Sequence, residues 1–500
     1  MQTDLSSFSI QPYRRKFIKP YMARMSTDNL SELVDGNVAN VLREQGFTIL
    51  DNPRSVYRVE KLYEALAKYA PKNAPRVNMK DEHLMFGVNL AYSCFGRTHG
   101  QQYLDVQPFT PQFIQSITSN PGGSAGLTAY GQKKEEAYLR AYEVGIDCMI
   151  GRRAWEPCLA FKRTQFNDKT RLVWGYPFAA TAIEGIFARP LIDRFKLGNT
   201  PMAFAKSTGV LGAELRTSSY HKKYAYSTDL SSYDSSISAD LIGVAFSILS
   251  TWFRLNDIER TSGVSLSRIW KQIVGYYIHT PIVMPDGNIY KGKRHGVPSG
   301  SYFTQLIDSI VNVIICGAIS SKFKLGVYAN DIQVLGDDLL FWSNHKVKLE
   351  YISDYLFKTF SMKMNVLKSS LFQCDEVIHF LGRDWNCGVP SLSQDDITTR
   401  MSQPETYRVY PKEKEARGIE VRKLMLSYAS VYRDAYPIYL RCMDVRPRYD
   451  RTNQAIENYA YGGSASDVNP DYMSGLQRFK LKYVYDQHGG RTPLALQFWK

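Results

Sequence analysis

The sequence has 500 residues, of which 44% are hydrophobic and 22% are charged, proportions typical of a folded globular protein with several subdomains. An excess of 62 Lys and Arg over 48 Asp and Glu gives a formal net charge of +14, which favours a polyanionic partner such as nucleic acid. No apolar run approaches the roughly 18 residues that span a bilayer, and the seven scattered cysteines form no C-x-x-C motif. We therefore expect no membrane partner, no disulfide framework and no zinc site.

The first distinctive stretch in chain order is basic. The first 110 residues contain no motif that we can match, and a Gly/Pro-rich break follows at 120–126, "NPGGSAG". The segment 152–171 contains two acidic residues and six basic ones, which are Arg152, Arg153, Lys162, Arg163, Lys169 and Arg171. Such a segment suits contact with phosphate groups, although a solvated basic loop is the alternative.

The segment "YAYSTDLSSYDSSIS" predicts a strand followed by a helix. Asp229 falls at the end of the strand, Asp234 lies five residues later, and the following serines can cap a helix. Apolar residues spaced by three and four from 237 to 252 predict a one-sided helix. Two aspartates at this spacing are a weak signal alone, because an Asx turn and a helix cap explain them in most proteins.

A second one-sided helix is predicted after the Gly/Pro-rich segment 285–300. Its apolar residues again follow the three-and-four spacing of an amphipathic helix: Phe303, Leu306, Ile307, Ile310, Val311 and Ile314.

The stretch "IQVLGDDLLFW" predicts a hairpin with two adjacent carboxylates, Asp337 and Asp338, at its turn. Adjacent like charges between apolar segments are unfavourable unless they are solvated or compensated. A solvated turn is one reading. The other is a pair of Mg²⁺ ions shared with Asp229, since Mg²⁺ prefers oxygen ligands and two such ions support phosphoryl transfer.

Five stretches in this order resemble the palm motifs A to E of viral RNA-dependent RNA polymerases. They are "DLSSYD", "GVPSGSYFTQLIDSIVN", "LGDD", "FSMKMNVLKSS" and "FLGRDW", between about 229 and 385. The second is most similar to partitivirus polymerases, with picobirnaviruses as the next choice. Upstream, "DKTRLVWGYP" resembles motif F. An ordered set of motifs is far more specific than any one of them.

The resemblance implies an α+β right-hand polymerase with a ferredoxin/RRM-like antiparallel palm sheet, encircled by its other domains. It implies an N-terminal extension at 1–70, fingers at 71–220 with motif F at 161–177, and a thumb at 396–500. The palm would occupy 221–395, with a finger insertion near 255–292.

The resemblance also implies residue roles. The metal ligands would be Asp229 and Asp337, with Asp338 auxiliary, and Lys368 would be the motif D lysine that protonates pyrophosphate. The positions for nucleotide binding are Asp234, Ser299, Gly300, Thr304, Asp308 and Asn312 in the palm, and Lys162, Arg163, Lys169 and Arg171 in motif F. Many related polymerases have Asn where this chain has Asp308, and Asn312 stands one helical turn later.

The function implied is RNA-dependent RNA polymerisation for a double-stranded RNA virus, with Mg²⁺ as cofactor and Mn²⁺ as an alternative metal. The partners would be template and product RNA, nucleoside triphosphates and viral capsid protein, in the virion interior or host cytoplasm. Two alternatives stay open. One is a reverse transcriptase, although Tyr233 lies one residue before the position of its usual aromatic gate. The other is a non-catalytic RNA-binding protein on a polymerase scaffold.

Overall fold

The computed structural model describes residues 3–403, except positions 31, 35, 45, 53, 167, 198, 199, 205, 207 and 392, together with 483–485 and 491–493. The chain separates into two compact units. The first comprises Met1–Thr27, Val59–Lys162 and Leu172–Val389, and the second comprises Asp28–Arg58, Arg163–Arg171 and Pro390–Lys500. The predicted thumb lies almost entirely outside the described residues, so that assignment and the encirclement of the palm stay predictions.

The helices of the described residues are, in chain order, α1 (Lys19–Met25), α2 (Gly36–Glu44), α3 (Glu60–Ala67), α4 (Glu82–Phe95), α5 (Pro111–Ile117), α6 (Tyr138–Ile150), α7 (Phe178–Leu197), α8 (Thr208–His221), α9 (Tyr233–Ser236), α10 (Ala239–Ser250), α11 (Leu266–His279), α12 (Thr304–Phe323), α13 (Leu349–Phe360) and α14 (Gln394–Ser402). The strands of the described residues are β1 (Ser9–Pro12), β2 (Cys158–Gln165), β3 (Lys169–Gly175), β4 (Tyr224–Thr228), β5 (Ile282–Val283), β6 (Asn288–Lys291), β7 (Ile332–Leu335), β8 (Asp338–Ser343), β9 (Ser370–Gln373), β10 (Ile378–Phe380), β11 (Arg383–Asn386), β12 (Val389–Ser391), β13 (Tyr483–Tyr485) and β14 (Arg491–Pro493).

Four strands form an antiparallel sheet in the order β7-β8-β4-β9. The predicted strand at "YAYSTDL" and the predicted hairpin at "IQVLGDDLLFW" are confirmed as β4 and β7–β8. Tyr226 of β4 lies opposite Phe341 of β8, and their rings stack with centroids 4.8 Å apart. Cross-strand aromatic pairs of this kind stabilise a sheet and fix its register.

A second sheet has the strand order β1-β6-β5-β2-β3. Strand β2 pairs in parallel with β5, whereas β1 and β5 each pair antiparallel with β6. One sheet therefore contains the N-terminal strand, the hairpin that carries the motif F residues, and the two strands of the 255–292 segment. No motif in the first 70 residues indicated that they contribute a strand to it.

Asp234 lies within the short helix α9, and α10 follows it. The hydroxyl of Ser238 accepts a hydrogen bond from the backbone N–H of Leu241 at 3.2 Å, so the prediction that a serine caps this helix is confirmed. Capping satisfies a backbone donor that has no partner within the first turn of a helix.

Helix α12 is buried on all sides, so the prediction of a one-sided helix was wrong here. Every side chain from 306 to 320 is buried, because α4, α10, α13 and β7 all pack against α12. A Cβ on Gly87 of α4 would lie 2.1 Å from the carbonyl oxygen of Ile314, and one on Gly317 would lie 2.7 Å from Gly87. Although α12 is long and apolar enough to cross a membrane, 83% of its most apolar window is buried inside the protein, as in a core helix.

The second unit is described by itself. Helix α2 packs against α14, and Asn29 forms a β-bridge with Tyr57. At the β2–β3 turn, Asp168 forms an ion pair with Arg58 at 2.9 Å. Both side chains are substantially exposed, so this pair contributes little to stability.

Candidate active site

The aspartates of two distant motifs lie at one edge of the four-stranded sheet. Strand β4 ends at Thr228, whose partner on β8 is Leu339, and Asp229 follows directly. On the neighbouring hairpin, Leu335 pairs with Asp338 across the turn. Because β4 and β8 are antiparallel, the end of β4 lies beside the start of β8. The geometry therefore brings Asp229 to the turn that carries Asp337 and Asp338.

The backbone of Asp229 is fixed by the segment that precedes β9. Its N–H donates to the Ser369 hydroxyl at 3.0 Å, and its carbonyl accepts from the N–H of Asn365 at 2.8 Å. Lys368 lies in the same segment, exposed, directly before the strand in which Ser370 pairs with Ser227 of β4. Sequence reasoning considered only the lysine of "NVLKSS" and missed the two residues that hold Asp229.

Two side chains of α12 hold the turn between β7 and β8. Gly336, at φ +63°, donates its N–H to the Ser309 hydroxyl at 3.0 Å. Its carbonyl accepts from the side-chain amide of Asn312 at 2.6 Å. Asn312, which the resemblance placed among the nucleotide contacts, thus contacts the turn, and Ser309 is a neighbour that sequence reasoning missed.

Asp337 and Asp338 are exposed, whereas Val334 and Leu339 beside them are buried. Solvation at the turn explains how the fold tolerates the adjacent charges. The carboxylate oxygens at this edge are a donor set that suits Mg²⁺ or Mn²⁺. Among the residues that the structure describes, no three His, Cys, Asp or Glu side chains form a metal-binding group, so the ligand assignments of Asp229, Asp337 and Asp338 stay predictions.

A buried carboxyl group lies close to these charges. Burial raises the pKa of Asp308 well above its usual range, and the charges of Asp234 and Asp337 raise it further. Within the described structure, its Oδ1 atom is buried and makes no hydrogen bond. The protonated, neutral form of Asp308 is therefore favoured, which brings it closer to the neutral Asn of related polymerases. The Tyr233 hydroxyl donates to the backbone carbonyl of Asp308 at 2.8 Å.

The loop 298–303 leads into α12 and carries the other palm candidates. The Ser299 hydroxyl accepts from the N–H of Trp174 on β3 at 3.2 Å. The Thr304 hydroxyl donates to the carbonyl of Pro298 at 2.8 Å, so in this conformation it stabilises the loop. A Cβ on Gly300 would lie 1.9 Å from the Trp174 carbonyl oxygen, which explains why glycine is required there. Asp234 lies next to this loop and accepts from the N–H of Val297 through its carbonyl at 2.7 Å.

The motif F candidates lie on the β2–β3 hairpin. Lys169 and Arg171 are exposed on alternate positions of β3, with Thr170 buried between them. On β2, Arg163 is exposed and Lys162 is half-buried. Because alternate side chains of a strand point to the same face, Lys169 and Arg171 form one cationic face of β3.

Comparison with known proteins agrees with this geometry. A family model described as viral RNA-dependent RNA polymerase matches residues 162–435. The RNA-directed RNA polymerase of Cryptosporidium parvum virus 1 (strain KSU-1) is 29% identical over an alignment of 324 residues, and the alignment covers 60% of this chain and 57% of that protein. The RNA-directed RNA polymerase of Atkinsonella hypoxylon virus (isolate 2H) is 30% identical over 142 residues, which are 26% of this chain and 21% of that protein. The corresponding protein of White clover cryptic virus 1 is 30% identical over 146 residues, which are 27% of this chain and 22% of that protein. The matched region spans less than two thirds of the length of these relatives.

A solved structure shows the same fold. The crystal structure of the RNA-dependent RNA polymerase of a human picobirnavirus aligns with a TM-score of 0.68 over 95% of each chain, at 14% identity. The α+β polymerase fold predicted from the motifs is confirmed, while the domain boundaries stay predictions. Because the family model covers more than half of the sequence, this chain belongs to the viral RNA-dependent RNA polymerase family.

Proposed function

We propose that this chain synthesises RNA on an RNA template from nucleoside triphosphates, as the polymerase of a double-stranded RNA virus. The observation that carries the proposal is the meeting of Asp229 with the Gly336–Asp338 turn at one sheet edge. In the reaction the 3′-hydroxyl of the growing strand attacks the α-phosphorus of the nucleotide. A new P–O bond forms as the hydroxyl proton passes to solvent, the bond between the α-phosphorus and the oxygen of the β-phosphate breaks, and pyrophosphate leaves.

Each group of candidate residues has a part in this proposal. Asp229 and Asp337, with Asp338 as auxiliary, would hold Mg²⁺ or Mn²⁺, which when bound stabilises charge on the reacting phosphates. Lys162, Arg163, Lys169 and Arg171 would neutralise the triphosphate. Asp234, Ser299, Gly300, Thr304 and Asp308 would form the nucleotide pocket, in which a carboxylate beside hydroxyls can recognise the 2′-hydroxyl. Lys368 would supply a proton to the departing pyrophosphate.

The partners follow from the same proposal. Template RNA, product duplex and nucleoside triphosphates are the substrates, viral capsid protein is the protein partner, and the virion interior or host cytoplasm is the location. The net charge of +14 supports an RNA partner, because phosphate contacts supply most of the non-specific affinity for nucleic acid.

The test is extension of RNA on defined single-stranded and double-stranded templates, with and without a primer, at varied Mg²⁺. We expect incorporation of labelled UTP in preference to dTTP, since the reverse preference would support a reverse transcriptase. Asp337→Asn keeps the size of the side chain but removes its charge, and should lower incorporation by roughly 100-fold or more. Asp354→Asn, at an exposed position on α13, is the matched control and should behave like the unmodified chain.

The non-catalytic alternative predicts the opposite result. If the unmodified chain binds RNA but incorporates no nucleotide under any condition, polymerase function is excluded. If the unmodified chain and Asp337→Asn incorporate nucleotide equally well, the catalytic role proposed for Asp337 is excluded.

A further inference from the structure

A buried acid on α7 takes no part in the chemistry proposed above. Glu184 is 0% exposed. Its Oε2 atom accepts two hydrogen bonds at 2.8 Å, one from the Ser301 hydroxyl and one from the backbone N–H of Tyr302. Burial of an acid in the middle of a helix is unfavourable unless it is offset by such contacts. Both contacts are to the loop 298–303.

The contact with Ser301 extends to the candidate nucleotide pocket. The Ser301 hydroxyl, which donates to Glu184, also accepts from the N–H of Phe303 at 3.1 Å. The Ser301 carbonyl accepts from the Thr304 hydroxyl at 3.0 Å. Ser299 lies two residues earlier in the same loop. The orientation of Ser301 therefore influences both candidate hydroxyls of the pocket.

The loop borders open space. A cavity of about 200 Å³ is lined by Gly300, Ser301 and Tyr302 of the loop, together with Thr118 and Thr181. The hydrogen bonds from Ser301 and Tyr302 to Glu184 restrain the part of the loop that borders this space.

The surroundings of Glu184 favour its protonated form. Burial raises its pKa to about 8, and the neighbouring ionisable groups that its charge affects are Tyr176, Tyr276, Tyr277, Tyr302 and Cys158. In the described structure Oε1 is buried and makes no hydrogen bond. In the neutral acid, Oε2 is then the carbonyl oxygen that accepts both bonds, and Oε1 carries the proton. Glutamine reproduces this arrangement, with the amide group in place of the hydroxyl.

We propose that Glu184 is a positioning residue for nucleotide selection: by holding Ser301 and Tyr302 it keeps the loop in the conformation that distinguishes ribose from deoxyribose. This inference rests on the proposed polymerase function. Glu184 acts through the loop and not on the reacting atoms, so its removal should change nucleotide affinity and sugar preference more than the rate at saturation.

The experiment compares kcat and KM for UTP and dUTP on one primed template. We expect Glu184→Ala to raise the KM for UTP and to lower the UTP preference over dUTP, each by about tenfold, with a smaller change in kcat. Glu184→Gln should stay within about twofold of the unmodified chain, because its carbonyl accepts the same two hydrogen bonds. Ile183→Ala is the control: it truncates the adjacent buried residue of α7 and should lower the melting temperature without changing the sugar preference.

Three outcomes would overturn the inference. The first is a folded Glu184→Ala variant with unchanged KM and preference, and the second is an equal loss of preference in Ile183→Ala. If Glu184→Ala does not fold, Ser301→Ala removes one of the two bonds from the loop side, and an unchanged preference in that variant is the third. If the unmodified chain incorporates no UTP, the proposed function fails, and this inference fails with it.

Discussion

Asn312 has contacts in the structure that its position in the sequence does not indicate. In sequence it stands one helical turn beyond the position that related polymerases use for the nucleotide. In the structure its amide donates to the carbonyl of Gly336, while Ser309 accepts from the N–H of the same residue. Asn312 and Ser309 therefore fix the peptide that precedes Asp337.

This arrangement predicts the effect of Asn312→Leu. We expect kcat for nucleotide incorporation to fall by roughly 10- to 100-fold, because a small displacement of a catalytic group is costly, while the preference for UTP over dUTP stays unchanged. Asn330→Leu, at an exposed position, is the control for steady-state kinetics. A loss of sugar preference at normal kcat would instead support a ribose contact for Asn312.

The raised pKa of Glu184 makes a second prediction at this scale. Its pKa is about 8 in the folded chain against an ordinary value of 4.5, so the folded chain binds the extra proton between these values. The stabilising effect of that proton is fully present below about pH 4.5 and is lost as pH rises through 8. The melting temperature of Glu184→Gln minus that of the unmodified chain should therefore increase from pH 5 to pH 8 and level off above it. A difference that stays constant with pH would contradict the assigned pKa, since all other groups are shared by the two proteins.

At the scale of elements, strand β3 and the loop before α12 approach each other so closely that there is no room for a side chain at position 300. Gly300→Ala would place its Cβ 1.9 Å from the carbonyl oxygen of Trp174, so the loop or the strand must move. We expect a lower melting temperature, by an amount that corresponds to about 1–3 kcal/mol, and impaired nucleotide incorporation.

The control for this prediction is Gly243→Ala on α10. There a Cβ meets nothing within 4 Å, and alanine favours a helix over glycine by about 1 kcal/mol. Thermal unfolding should show equal or higher stability for Gly243→Ala. Equal effects of the two substitutions would mean that the close approach at Gly300 is unimportant.

At the scale of the whole molecule, the net positive charge favours binding to RNA. With a net charge of +14, we expect affinity for single-stranded RNA to fall roughly 10³-fold or more between 50 and 200 mM salt, if six or more phosphates are contacted. Fluorescence anisotropy with a labelled oligonucleotide measures this directly. Binding that is insensitive to salt would contradict a contact made mainly through phosphates.

The fold was predictable from sequence only in those parts where a local pattern and a motif agreed. The strand before Asp229 and the hairpin around Asp337 were predicted because β-prone segments end there at turn residues. The full burial of α12 was not, since an apolar stripe on a helix does not reveal what covers its other faces. Nor were the contacts of Asn312 and Glu184, which join residues 24 and 117 positions apart, because no local pattern specifies such pairs.

The glycine contact between α4 and α12 has a consequence for how this chain can vary. The backbones of α4 and α12 lie in contact at Gly87 and Gly317. Helix α12 also carries Thr304 and Asp308, and the side chains of Ser309 and Asn312 that form hydrogen bonds with Gly336. Any larger residue at either glycine would displace α12 relative to α4, and this displacement would shift the candidate nucleotide-binding residues and the aspartate turn together. We therefore expect that Gly87 and Gly317 tolerate no larger residue and stay unchanged among descendants of this sequence.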